Sequence, residues 1–97
     1  MQAHIVYLDI DPGKLDQFLT HIRTTVLPES KEQPGYKATL VLTNPETGKA
    51  VGIGLWEDRQ AMEDSGFMDT HVKKANPMLK DPMAIERWEV GIADGTF

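Results

Sequence analysis

Short apolar, β-branched runs alternate along this chain with stretches where apolar residues recur every three or four positions. His4 to Ile10 is the first such run, and it stops at Asp11-Pro12-Gly13. Side chains alternate across a strand, so His4, Val6, Leu8 and Ile10 share one face while Ala3, Ile5, Tyr7 and Asp9 share the other. Asp11-Pro12 predicts a helix start, because aspartate accepts from unpaired N–H groups and proline needs no donor in a first turn. Leu15, Phe18, Leu19, Ile22 and Val26 then form one stripe of an amphipathic helix. Pro28 is expected to end it, since the residue before a proline disfavours helical backbone.

After a polar, turn-rich stretch from Glu29 to Gly35, Tyr36 to Thr43 reads as a second strand. Strict alternation places Tyr36, Ala38, Leu40 and Leu42 on one side of it. Asn44-Pro45-Glu46-Thr47-Gly48 is a hairpin loop of turn-forming residues, and Lys49 to Trp56 is the third strand. Gly52 and Gly54 fall on the face that carries Trp56, where missing side chains leave room for a bulky neighbour, a bulge or a ligand. Asp58 is placed to cap a second helix running from Arg59 to about Leu79, with a break or kink at Gly66. Ala84 to Ile92 is the fourth strand, with Trp88, Val90 and Ile92 on one face and Ile85 and Arg87 on the other.

The order is β-α-β-β-α-β within a single domain, residues 1–97. It predicts an α+β, ferredoxin-like fold: an antiparallel four-stranded sheet with two helices on one face. Two helices cover only one side of such a sheet, yet the strands are apolar on both sides. A second copy of the chain, packed sheet to sheet about a two-fold axis, is the expected cover.

Composition narrows the chemistry. The chain has no cysteine, which excludes disulfides, thiolate metal sites and a cysteine nucleophile. Its formal charge is −5, and Lys73-Lys74 is its one adjacent basic pair, so no nucleic-acid partner is expected. No signal peptide and no membrane span are read, and the expected location is cytoplasmic. The three histidines form no ligand pair at metal spacing, and no phosphate loop or nucleophile elbow occurs. No metal site is expected.

Three segments carry a family resemblance. They are Pro12-Gly13-Lys14-Leu15 at the helix start, Leu27-Pro28 followed by Gln33-Pro34-Gly35-Tyr36, and Gly54-Leu55-Trp56-Glu57-Asp58-Arg59-Gln60-Ala61 with His71 beyond it. In order and spacing they resemble the antibiotic biosynthesis monooxygenase-like domains of the dimeric α+β barrel superfamily. The resemblance implies a barrel formed by two sheets and a pocket in each subunit between helices and sheet. It implies either cofactor-independent oxygenation of polycyclic or quinol substrates or, in another branch, haem degradation. That branch carries an Asn on the first strand and a Trp in the second helix. The corresponding positions here are near Val6 and Ser65, which leaves His71 as the sole match.

His71 is therefore the candidate catalytic residue, able to shuttle a proton near neutral pH, against a plain reading as a partly exposed helix histidine. Trp56, Tyr36, Met62 and Met68 are the candidate substrate-binding residues, flat or adaptable walls for an aromatic ring, against a plain reading as core. Arg87, if buried, is expected to find a carboxylate partner, a salt bridge across the dimer being favoured over anion binding, and His4 and His21 are read as structural or exposed. The expected activity is cofactor-independent monooxygenation of a small aromatic or quinol-like molecule. The alternative is a non-catalytic binding or structural homodimer of the same fold.

Overall fold

The computed structural model describes residues 1–66 and 84–95. Four strands form one antiparallel sheet: β1 (Gln2–Asp9), β2 (Tyr36–Thr43), β3 (Lys49–Trp56) and β4 (Ala84–Glu89). Their spatial order is β2-β3-β1-β4, with β1 bonded on both sides. This is the ferredoxin-like arrangement predicted. Asn44 closes the β2–β3 hairpin, accepting from Gly48 N at 2.8 Å and donating to Lys49 O at 2.8 Å. Gly48 is obligatory there: its φ is +79°, and a Cβ would overlap the Ile10 carbonyl.

The first helical region begins as read. Asp11 Oδ1 accepts from Gly13 N at 3.0 Å, a short 3₁₀ turn spans Pro12–Lys14, and α1 follows at Leu15–His21. Its apolar stripe lies on the sheet. Phe18 and Leu15 pack with Val6, Leu8, Ile10 and Ala50 into the core, flanked by Leu19, Ile22, Val41 and Ile85.

Pro28 does not end this helix, contrary to the sequence reading. A π-helical segment, Ile22–Val26, precedes it, and α2 continues from Leu27 to Lys31. Leu27 N reaches back five residues to Ile22 O. The wider π turn moves the carbonyls off the α ladder, so the proline ring and its missing N–H are accommodated. Leu27 itself keeps helical angles, φ −63° and ψ −48°, against its usual preference before proline.

A second departure lies in β2. The register shifts between Tyr36 and Ala38, a bulge at Lys37. One extra residue reverses the parity of everything before it. Tyr36 therefore joins the helix-covered face beside Trp56, while Ala38, Leu40 and Leu42 point to the other.

That outer face carries Ala3, Ile5 and Tyr7 from β1, Val51, Ile53 and Leu55 from β3, and Trp88 from β4. Within the single chain it is open in part: Leu42 and Trp88 are each 55% exposed and Leu40 and Tyr7 are nearly as open, while Ala3 and Leu55 are buried. The Tyr7 hydroxyl donates to Glu86, and this bond, with lesser contributions from burial and the carboxylate charge, holds its pKa above the usual tyrosine value. The inner face holds the stability. Phe18→Ala is expected to destabilise the fold by about 3 to 5 kcal/mol in urea unfolding, the cost of emptying a fully enclosed aromatic site.

Candidate functional site

The inner face changes character along its length. At the end where β1 finishes, it is aliphatic and filled by α1. At the other end, adjacent strands place Thr39, Gly54, His4 and Arg87 in one row, and Tyr36, Trp56, Gln2 and Glu89 in the next.

Trp56 is 2% exposed, and its Nε1–H donates to His4 Nδ1 at 3.2 Å. An imidazole that accepts at Nδ1 carries its own proton on Nε2 when neutral. Burial, reinforced by the nearby Arg87 charge, lowers the His4 pKa from 6.5 to about 4, so the ring is neutral at physiological pH. Tyr36 meets Trp56 edge-on, with centroids 5.7 Å apart and planes at 83°, and its hydroxyl donates to Thr39 Oγ1 at 2.9 Å. A Cβ on Gly54 would overlap the His4 imidazole, reaching 2.6 Å from Cε1. The space anticipated at this glycine is thus taken by a histidine ring.

Of the predicted site residues, Trp56 and Tyr36 come together here. Met62 is also buried, in α3 (Arg59–Asp64), whose Asp58 cap accepts from Ala61 N at 2.8 Å. His71 and Met68 lie outside the described residues. His4, read as structural or exposed, is buried at the centre of the group, in keeping with the first of those readings. Its partnership with Trp56 spans 52 positions and leaves no local signature; a strand-interior glycine facing a tryptophan was the available hint. Arg87 is exposed and has no carboxylate partner among the described residues.

A separate cleft of about 320 Å³ opens between the Gln33-Pro34-Gly35 turn and α3. Two of its three carboxylates are already engaged: Asp58 caps α3, and Asp64 Oδ1 accepts from Gln60 Nε2 at 2.8 Å. Of the predicted site residues that are described, Trp56, Tyr36 and Met62, none lines it. Among the described residues no cluster of three His, Asp or Glu side chains could hold a metal ion, and no helix is long and apolar enough to cross a membrane.

Residues 1–73 match the family model for antibiotic biosynthesis monooxygenase. The chain belongs to that family. Solved structures agree on the fold. A monooxygenase from the gene ActVA-Orf6 of Streptomyces coelicolor, in complex with nanaomycin D, superposes with a TM-score of 0.77 at 16% identity, covering 97% of this chain and 92% of that one. SnoaB, a cofactor-independent oxygenase from Streptomyces nogalater, gives 0.72 at 13% identity, covering 95% and 94%. At such identities these are likenesses of fold. The uncharacterized protein Rv2557 of Mycobacterium tuberculosis is 25% identical over 77 residues, 78% of this chain. The chain spans only 34% of that relative's length.

The neutral imidazole gives this member of the antibiotic biosynthesis monooxygenase family a specific pH dependence. Unfolded, His4 takes up a proton near 6.5; folded, only near 4, so the unfolded state binds more protons between those values. The stability from keeping it neutral is fully present above 6.5 and falls as pH drops toward 4, by about 3 kcal/mol in all. Urea midpoints measured from pH 7 to pH 4 are expected to fall less steeply in His4→Asn than in the wild-type chain.

Proposed function

We propose that this chain is a cofactor-independent monooxygenase acting on a small aromatic or quinol-like molecule, held between the helices and the inner face of the sheet. The observation that carries the reading is the division of that face. An aliphatic half gives the domain its core, and an aromatic and polar half gathers Trp56, Tyr36, His4, Thr39 and Arg87 at one end. Family membership supplies the reaction class. Without a cofactor, the substrate must be its own reductant. An activated CH₂ flanked by aromatic rings plus O₂ gives C=O plus water, which balances with no added electrons. Trp56 and Tyr36, with Met62 and Met68, hold the flat ring, and His71 takes the proton whose loss makes the substrate electron-rich.

Oxygen uptake with a panel of hydroquinones and related activated aromatics tests this. The wild-type chain is expected to consume oxygen, and His71→Ala to lose roughly a hundredfold in rate, the usual scale for a general base. Ligand binding without uptake across the panel would overturn catalysis. It would leave the second reading, a non-catalytic binding or structural domain, which the close burial of Trp56 and Met62 favours. Haem degradation has less support: Val6, where that branch carries its Asn, is apolar and sits in the core.

The proposed assembly is a homodimer through the outer sheet face. Its support is the contiguous apolar surface around Leu40, Leu42, Tyr7 and Trp88, large side chains that a lone domain gains by covering. In analytical ultracentrifugation the wild-type chain is expected at twice its 10.9 kDa mass and Leu42→Asp at the monomer mass. A monomeric wild type would overturn the interface.

A further inference from the structure

The outer face of the sheet holds one polar couple in an otherwise apolar field. In the β1–β4 register Ile5 stands opposite Glu86 and Tyr7 opposite Ala84. Tyr7 and Glu86 are therefore diagonal neighbours on the same face, within reach of each other's long side chains. The Tyr7 hydroxyl donates to the Glu86 carboxylate. Ile5 and Trp88 flank them on the same face. The other outward-facing charges of β1, β3 and β4 are Asp9 and Lys49, register partners where β1 ends and β3 begins. In the lone chain Tyr7 is 43% exposed and Glu86 is exposed, so water serves both groups and the bond adds little to the fold. Its worth changes once the face is covered.

We propose that the Tyr7–Glu86 couple is the orientation determinant of the homodimer, the contact that decides how a second copy of the chain seats on this face. This role rests on the homodimer reading above and is independent of any reaction. The dimensions of the face favour a second copy. Four strands, about 4.8 Å apart and up to eight residues long, present a footprint of roughly 19 by 26 Å, on the scale of the ~800 Å² per partner of a standard interface. The face also carries both signs of charge, in Asp9 and Lys49, as a surface that must match itself about a two-fold axis requires. Apolar burial alone is non-directional, so two such sheets could meet in many rotations. A covered carboxylate permits few of them. It accepts at about four positions, and Tyr7 fills one. The permitted seatings leave the rest of Glu86 at the wet rim of β4, an edge strand, or against a donor of the second copy; the others are penalised.

Sedimentation over a concentration series, with pulsed electron paramagnetic resonance of a spin label at Gln17→Cys, tests this. The chain has no cysteine of its own, and Gln17 is exposed on α1, across the sheet from this face. The otherwise wild-type chain is expected to dimerise with one narrow label-to-label distance. Tyr7→Phe strips the covered carboxylate of its donor in both copies and is expected to weaken the dimer about a hundredfold. Tyr7→Phe with Glu86→Leu removes donor and charge together. It is expected to recover wild-type affinity while the distance distribution broadens. In the monomeric Leu42→Asp background, Tyr7→Phe is expected to leave the urea midpoint unchanged, because the couple is exposed there; a lower midpoint would assign it to the single chain and overturn the proposal. Unchanged dimer affinity in Tyr7→Phe, no recovery in the double variant, or a distance that stays narrow in it also overturns the proposal and leaves the homodimer standing. A wild-type chain monomeric at every concentration fells the homodimer reading and this role with it.

Discussion

The parity of β1 is the constraint on which the rest of this domain depends. It is the central strand, bonded to β3 on one side and β4 on the other, and its side chains alternate between two faces with different tasks. His4, Val6 and Leu8 face the helices, and Ala3, Ile5 and Tyr7 face outward. A slip of one residue would exchange the two sets. Val6 and Leu8 would leave the core formed with Phe18, and Trp56 would lose its hydrogen-bond acceptor. The fit of α1 against the sheet and the grouping of the aromatic residues are thus held by one register.

Much of this was legible in the chain because local chemistry and global fold agree. Turn residues on both sides bound β2 and β3, and the asparagine and glycine of the hairpin loop leave no other reading. The stripe from Leu15 to Val26 identified the face of α1, and Asp11 and Asp58 act as the caps their positions implied. The departures are places where tertiary packing overrides a local rule. Pro28 stays within a helical run because a π turn precedes it, and nothing in that stretch marks a wider turn. Tyr36 sits on the opposite face from the one strict alternation assigns, because a bulge changes parity without a sequence signal of its own. His4 reads as one more residue of an apolar strand, and its significance depends on a glycine and a tryptophan fifty positions away.

The candidate site is legible to a lesser degree for the same reason. A sequence can show that an aromatic residue and a glycine share a strand face, and here they do. It cannot show which group fills the space the glycine leaves. The inner face answers this by dividing itself, with hydrophobic burial at one end and a smaller array of directional contacts at the other. The first sets the stability of the domain, and the second restricts how one aromatic ring can sit. The charge pattern fits the division: the neutral imidazole lies in the desolvated interior, and the guanidinium that helps keep it neutral stands at the exposed edge strand.

The bulge in β2 has an effect beyond turning Tyr36 inward. β2 lies at the border of the sheet, and its residues, Tyr-Lys-Ala-Thr-Leu-Val-Leu-Thr, have the composition of a segment that readily recruits another strand. An unpaired border of this kind invites open-ended growth, strand upon strand. The extra residue at Lys37 breaks the even spacing of donors and acceptors that an incoming strand would need, and an exposed ammonium group marks the same spot. Lateral extension along this border is thereby discouraged, while the exposed large apolar side chains lie on the flat of the sheet.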